Sequence, residues 1–263
     1  MIIFIKKIIK QILLFFKIDW WNTIRINLFN LPLKQGKKFP ILLFNAKVHI
    51  RHKAQIKLEI PNKDCHFGII KLGCRYIENV ITPSGIQIDL RTGTLIFKGS
   101  GIIGNGSNIV TRNNGVIEFG KNFGISGNFS ITAFKKIIIG NNLSCSWDVS
   151  IFDTDFHQTK EIEKELPVTM SKEINIGNNC WLCQKSILLK GSYLPDWSTI
   201  GAFSLVNKNF KEAPLYSIYA GNPAKPLTKR IIRLDQQIIS QNASWIITKG
   251  LNILNPLPCH KKE

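Results

Sequence analysis

The sequence predicts an all-β solenoid, a parallel β-helix with a helical extension at each end. The main observation is an aliphatic residue at every sixth position without a slip: Ile176, Leu182, Leu188, Leu194, Ile200 and Val206. An α-helix needs apolar spacings of three and four and a half-buried strand needs two, so a spacing of six fits neither. A period of six is typical of hexapeptide-repeat β-helices, in which each unit makes one short strand and one corner.

Two weaker observations extend the solenoid towards the N-terminus. The six-residue step recurs, with one slip, at Phe97, Ile103, Ile109, Phe119, Ile125 and Ile131. Gly and Asn become frequent between these positions, as corners require residues that tolerate positive φ. The repeat is irregular from about 95 to 151 and regular from 174 to 206, so residues 40–210 are predicted to form one β-helix domain.

The elements follow in order along the chain. Residues 1–39 are predicted to be a basic amphipathic helical extension. Its helix covers residues 1–30 and ends toward Leu31 and Pro32, because the residue before a proline disfavours the helical conformation. Short β-type runs begin after Pro40. A charged excursion without hexads, residues 152–173, interrupts the coils. Residues 211–263 are predicted to form an exit segment and a C-terminal amphipathic helix.

The formal net charge of +18 is concentrated early, since residues 1–60 carry twelve Lys and Arg against Asp19 and Glu59. A basic surface suits nucleic acid, anionic lipid or phosphorylated substrates. No nucleic-acid motif accompanies the charge, so no nucleic-acid partner is expected. Lysines interrupt residues 1–21, so no continuous apolar stretch in this segment is long enough to span a membrane. It is either an amphipathic helix on an anionic inner membrane surface or a helix packed on the solenoid or a neighbouring subunit.

Cysteines and histidines argue against metal chemistry. Cys180 and Cys183 form a lone C-x-x-C inside the hexad register, and buried apolar cysteines in a reducing cytosol are favoured over a zinc or redox site. The histidines other than His157 lie outside the hexad region, so no metal is expected. With no signal-peptide cleavage site, the protein is expected to be cytoplasmic, at most peripheral to the inner membrane.

The excursion contains the sequence Asp153-Thr-Asp155-Phe-His157. A histidine suits general-base catalysis because its unperturbed pKa lies near neutral pH. A carboxylate bonded to one ring nitrogen would fix the tautomer and leave the other nitrogen to accept a proton. Either Asp155 or Asp153 could supply that carboxylate, and a surface loop with incidental charge is the alternative.

Three segments closely resemble the closing part of hexapeptide-repeat O-acetyltransferases, a family that includes maltose, galactoside, serine and polysaccharide acetyltransferases. They are 174–182 (INIGNNCWL), 198–208 (STIGAFSLVNK) and 220–225 (AGNPAK). The resemblance is strong over about 139–230, loose over 40–138 and absent at both ends. It implies a left-handed coil with three hexads per turn, a homotrimer with active sites between subunits, and acetyl-CoA as acyl donor.

The resemblance also implies roles for individual residues. His157 matches the family's catalytic histidine, and Asp155, or else Asp153, would orient its imidazole. The residues expected to contact the coenzyme are Trp181, Ala202, Ser204, Lys208, Lys225 and Lys229. Phe203 departs from the family pattern, which usually has glycine at that place.

The predicted function is therefore acetyl transfer from acetyl-CoA to a hydroxyl of a sugar or surface-polysaccharide precursor, by direct transfer with His157 as base. An acyltransferase with an amino-acid or amino-sugar acceptor and a non-catalytic β-helix scaffold are the alternatives. A scaffold would have no reason to keep Asp155 and His157 together with the 220–225 motif.

Overall fold

A computed structural model describes residues 15–75 and 84–231 and shows three sheets that the chain visits in turn, coil after coil, with all their strands parallel except the last, which pairs antiparallel with the strand before it. Sheet A contains β1 (Ile41–Leu43), β4 (Ile70–Cys74), β7 (Gly101–Gly104), β10 (Phe123–Ile125), β13 (Ser144–Cys145), β18 (Trp181–Leu182), β21 (Thr199–Ile200), β23 (Ser217–Gly221) and β24 (Ala224–Arg230). Sheet B contains β2 (Ala46–Ile50), β5 (Ile86–Leu90), β8 (Ser107–Thr111), β11 (Ser130–Ala133), β14 (Ser150–Phe152), β19 (Ile187–Leu189) and β22 (Leu205–Val206). Sheet C contains β3 (Ala54–Leu58), β6 (Gly93–Phe97), β9 (Val116–Phe119), β12 (Lys136–Ile139), β17 (Ile174–Ile176) and β20 (Tyr193–Leu194).

The six-residue period maps directly onto these sheets. Register pairs place Ile176 beside Leu194, Leu182 beside Ile200 and Leu188 beside Val206, so one coil takes three hexads. All six side chains are buried, none more than 2% exposed. The predicted fold class, an all-β solenoid built as a parallel β-helix, is confirmed. The predicted C-terminal helix lies outside the described residues.

Asparagine and glycine stack at the corner between sheets C and A, called corner C–A. Asn122, Asn142 and Asn179 have φ near +60° there. Their side chains form a ladder, with Nδ2 to Oδ1 distances of 3.2 Å from Asn122 to Asn142 and 2.9 Å from Asn142 to Asn179. A Cβ on Gly140 would lie 2.6 Å from the backbone of Gly177. Close coil stacking therefore requires glycine in that column.

A short helical segment covers the first coil. Helix α1 (Trp20–Asn30) begins after the capping residue Asp19 and ends before the extended Leu31, and α2 (Leu33–Gly36) follows. The end of the predicted N-terminal helix is therefore correct, but a break at residues 17–19 separates α1 from what precedes it, and residues 1–14 of the prediction lie outside the described residues. Thr23 and Asn27 are fully buried against β1: Thr23 Oγ1 accepts from the Leu43 amide at 3.1 Å, and Asn27 Nδ2 donates to the Ile41 carbonyl at 2.7 Å. These bonds satisfy a strand edge that would otherwise be open to pairing with another chain. Within residues 15–75 and 84–231, no helix is long and apolar enough to cross a membrane.

Candidate active site

The excursion predicted from the sequence is a structured arm. It leaves the fifth coil between β14 and β17, at the corner between sheets B and C, called corner B–C. Its neck is closed by backbone bonds from the Lys172 amide to the Asp153 carbonyl and from the Asp155 amide to the Met170 carbonyl, both 3.0 Å. Beyond the neck, β15 (Thr159–Glu161) and β16 (Leu166–Val168) pair antiparallel as a hairpin.

His157 lies at the foot of this hairpin, with an exposed side chain. Phe156 precedes it with a φ of 64°, a conformation uncommon for a bulky residue. The Phe156 ring packs edge-on against Phe134 and Phe152, with centroid separations of 5.8 and 5.7 Å. These contacts anchor the backbone that carries His157 while its imidazole stays in solvent. In the described part of the chain, no carboxylate makes a hydrogen bond or ion pair with that ring.

Asp153 binds backbone amides and not the imidazole of His157. It is fully buried, and its two carboxylate oxygens accept from the amides of Phe134 at 2.7 Å and Lys135 at 2.8 Å. Burial raises the pKa of this carboxyl group, while the amide hydrogen bonds act in the opposite direction. Asp153 therefore ties the start of the arm to the turn after β11.

Asp155 is paired with Lys190 instead. The Lys190 ammonium contacts Asp155 Oδ2 and also donates to the Thr169 carbonyl at 2.6 Å. Lys190 lies on corner B–C one coil above the arm, and its side chain is only 17% exposed. One ammonium therefore joins the outgoing and returning limbs of the arm. Sequence reasoning missed Lys190, although counting hexads places it directly above the excursion.

Ala202 and Ser204 lie on another corner, A–B, between β21 and β22 of the seventh coil. Ala202 is exposed, whereas Ser204 is buried. Ser204 Oγ accepts from the Gly221 amide at 3.1 Å. This bond holds the turn of the β23–β24 hairpin, formed by the 220–225 motif, over the corner. Lys225, exposed near the start of β24, follows this turn.

The remaining predicted contacts are spread over the coil. Lys208 is exposed on corner B–C, two coils above the arm. Trp181 is half-buried at the start of β18 in sheet A. Lys229 lies in β24, and its side chain is outside the description. One chain thus places His157 with Lys208 on corner B–C and Ala202 with Ser204 on corner A–B, and does not bring the two groups together.

The cysteine pair has a buried and a half-buried member. Cys180 is fully buried in the coil and donates to the Pro195 carbonyl at 3.4 Å, and Cys183 is half-buried. Burial raises the pKa of the Cys180 thiol to about 12, so the thiol is protonated at neutral pH. Among the described residues, no three His, Cys, Asp or Glu side chains are grouped so as to hold a metal ion.

Comparisons with known proteins bear on the family resemblance. No family model matches the chain. The chain is 30% identical over 113 residues to a candidate acetyltransferase of Schizosaccharomyces pombe, covering 43% of this chain and 53% of that protein. It is also 30% identical over 109 residues to galactoside O-acetyltransferase of Escherichia coli, covering 41% and 52%. The chain thus spans about half the length of the curated relatives it matches.

Solved structures with a similar coil include two acetyltransferases. The polysialic-acid-specific acetyltransferase NeuO has a TM-score of 0.46 at 21% identity, covering 78% of this chain and 98% of its own. A hexapeptide-repeat acetyltransferase of Vibrio cholerae, in complex with acetyl-CoA, has a TM-score of 0.39 at 17% identity, covering 48% and 68%. The two curated relatives, both acetyltransferases, confirm the resemblance that the sequence motifs predicted.

Proposed function

We propose that this protein is an O-acetyltransferase that moves the acetyl group of acetyl-CoA to a hydroxyl of a sugar or surface-polysaccharide precursor. The observation that carries the proposal is the way in which the arm holds His157. Its backbone is fixed by an aromatic cluster and a bonded neck, yet its imidazole is open to solvent and to a substrate. A scaffold needs no such arrangement. The curated relatives support the acyl transfer, and the galactoside enzyme among them supports a sugar acceptor.

In the proposed reaction His157 removes the proton of the acceptor hydroxyl, and the resulting oxygen attacks the thioester carbonyl. The tetrahedral intermediate then expels the thiolate of coenzyme A, which takes the proton from the imidazolium. A backbone amide at corner A–B would stabilise the oxyanion. No covalent enzyme intermediate forms, so no nucleophilic side chain is needed.

Asp155 is the carboxylate we propose for orienting the imidazole. Both oxygens of Asp153 are bound to backbone amides, whereas Asp155 is held by Lys190 near the base of the same arm. Catalytic hydrogen bonds are often long or unmade without substrate and tighten in the complex. Lys190 would then act as a positioning residue, through Asp155.

The separation of the two corners supports an active site shared between chains. If corner B–C of one chain faces corner A–B of the next, His157 lies beside Ala202, Ser204 and Lys225 of a neighbour. Lys208 would add charge for the nucleotide phosphates from its own side of that cleft. We propose that a homotrimer provides this contact three times. A cytoplasmic location and contact of residues 1–21 with the inner membrane belong to the same proposal.

The first test follows release of free thiol from acetyl-CoA with a panel of sugars and glycan precursors. His157→Ala is expected to lose about 10²- to 10⁴-fold in kcat, the usual contribution of a general base. Its melting temperature should not change, because the side chain is exposed. His49→Ala, which removes an exposed histidine of β2, is the matched control. Equal release by wild type and His157→Ala would contradict the assigned base.

The second test addresses the shared site by mixing two inactive variants. His157→Ala and Ala202→Trp chains, unfolded and refolded together in equal amounts, should regain about a quarter of wild-type activity if each site takes one corner from each of two chains. Each variant refolded alone is the control. No recovery in the mixture would place the whole site within one chain and overturn the shared arrangement.

A further inference from the structure

The outward face of α1 is more apolar than the face that packs on the coil. The packed face carries Thr23 and Asn27 beside Ile26, because it must satisfy the edge of β1. The outward face carries Trp21, 77% exposed, and Phe29, 79% exposed. A helix on a water-soluble surface normally shows the opposite arrangement. Contiguous exposed apolar residues of this kind mark a binding surface.

The patch continues beyond the helix. Ile24 is 39% exposed on the same outward side of α1, and Leu33, at the start of α2, is 70% exposed. A cleft of about 400 Å³ lies next to Phe29. Its lining includes Arg51, His52 and Lys57, so cationic side chains border the apolar surface.

The surrounding charge is strongly positive. Residues 15–60 contain nine Lys and Arg against two acidic residues. Asp19 accepts from the amides of Asn22 and Ala46, and the half-exposed Glu59 lies 3.8 Å from the Lys98 ammonium. Among the described residues, no ion pair neutralises Arg51 or Lys57. This end of the solenoid therefore offers apolar and cationic groups together.

We propose that these residues dock on an anionic membrane surface. We call them the base face: Trp21, Ile24, Phe29, Leu33, Arg51 and Lys57. Aromatic rings and aliphatic side chains enter the boundary between headgroups and acyl chains, and lysine and arginine pair with the lipid phosphates. The protein lies on the bilayer in this arrangement and does not span it. This goes beyond the segment 1–21, because most of the base face belongs to α1 and the first coil.

Docking by the base face fixes the height of the arm above the lipid. Adjacent strands of a sheet lie about 4.8 Å apart, so the fifth coil stands roughly 20 Å above the first. With His157 as the base, an assignment that rests on the proposed function, a lipid-linked acceptor would have to carry the reacting hydroxyl in its glycan part, well above the headgroups. A hydroxyl at the level of the lipid headgroup would be out of reach.

Vesicle sedimentation with the full chain tests the docking without any acceptor. We expect binding to phosphatidylcholine vesicles that contain about one third phosphatidylglycerol, and little binding to phosphatidylcholine alone. The double variant Trp21→Glu, Phe29→Glu should bind about tenfold more weakly or worse. The double variant Leu215→Glu, Leu227→Glu adds the same charge at exposed leucines of the opposite end and should bind like wild type.

Further variants distinguish the base face from the rest of the basic surface and from residues 2–14. Arg51→Gln with Lys57→Gln should weaken binding to the anionic vesicles, whereas Lys121→Gln with Lys211→Gln, two exposed lysines elsewhere, should weaken it less. Absence of binding by wild type, or an equal loss in the Leu215 and Leu227 control, would overturn the proposal. So would loss of binding on deletion of residues 2–14 while the Trp21 and Phe29 variant binds normally, since that segment alone would then carry the contact.

A second copy of the chain is the alternative partner for the base face. Light scattering in solution decides this: a lower mass for the Trp21 and Phe29 variant with unchanged vesicle binding would assign the face to a subunit contact and refute membrane docking. Acetyl transfer to a water-soluble acceptor, measured in parallel, should be equal in wild type and this variant. Loss of vesicle binding with intact transfer therefore concerns only the docking, and loss of transfer in His157→Ala concerns only the reaction.

Discussion

Asp153→Asn distinguishes a structural carboxylate from a catalytic one. In the folded chain Asp153 accepts two backbone hydrogen bonds, of 2.7 and 2.8 Å, and makes none with the imidazole of His157. An asparagine has nearly the same shape but offers one oxygen and one NH₂ group. One of the two backbone amides, of Phe134 or Lys135, would keep its acceptor, and the other would face the NH₂ group of the asparagine, which is itself a donor. We expect a loss of stability without a change in the protonation behaviour of the base.

The size of the loss follows from the buried groups. A hydrogen bond to a charged acceptor contributes about 1.5–3 kcal/mol, and a buried amide left without a partner costs about 1–3 kcal/mol. Removing a buried charge recovers some desolvation energy, on the order of 1–2 kcal/mol after partial pairing. The free energy of unfolding should therefore fall by about 2–3 kcal/mol. Asp64→Asn, at an exposed aspartate, should change it by less than about 0.5 kcal/mol.

Urea unfolding at several pH values measures this effect. Since burial raises the pKa of Asp153 in the folded chain, the folded state binds the proton more tightly than the unfolded state. The stability that wild type gains from this group is therefore complete below the unfolded pKa and declines as pH rises through the folded pKa. The difference between wild type and Asp153→Asn should shrink over that window. A variant as stable as wild type, or a shifted pH–rate profile with unchanged stability, would refute the structural role.

Two further predictions concern the arm and the core. Lys190→Met should lower kcat about tenfold, because the arm loses the ion pair that holds Asp155 but keeps His157; KM for acetyl-CoA and the pH–rate profile should stay near wild type. Lys190→Arg should restore most of the rate. Equal kcat in all three proteins would exclude a positioning role. Leu188→Ala should lower the free energy of unfolding by about 2–5 kcal/mol, since the leucine side chain is fully buried. The control Leu215→Ala, at a half-exposed leucine, should lower the same free energy by under about 0.5 kcal/mol. Similar melting temperatures for the two variants would contradict the assigned core.

The period of six predicted the coil correctly because each hexad contributes one inward side chain, so burial appears directly in the sequence as spacing. The cap was harder to predict. Helix α1 buries Thr23 and Asn27, which meet the edge of β1, and exposes Trp21 and Phe29. A rule that sends apolar residues inward would orient this helix the wrong way round. The requirement that decides its orientation, satisfaction of a strand edge, is invisible until the strand is placed.

The candidate site shows the same limit. The spacing of Asp153, Asp155 and His157 predicted an acid–base group, and the structure places all three on one arm. Sequence alone could not rank the two aspartates, because their difference lies in the backbone amides that only Asp153 reaches. Lys190 was missed for a related reason: it is about one coil away from the arm in space but 35 residues from Asp155 along the chain.

The placement of the predicted residues on two corners also constrains how chains can assemble. His157 and Ala202 lie on different corners of one chain, so a complete site needs corner B–C of one chain to face corner A–B of another. A two-fold dimer can form this contact twice, because in an isologous interface residue i of one chain meets residue j of the other and the reverse. A heterologous contact between the same two corners instead repeats from chain to chain until a ring closes. We propose the ring of three, the homotrimer, and the mass of the assembly in solution, three chains or two, decides between the two arrangements.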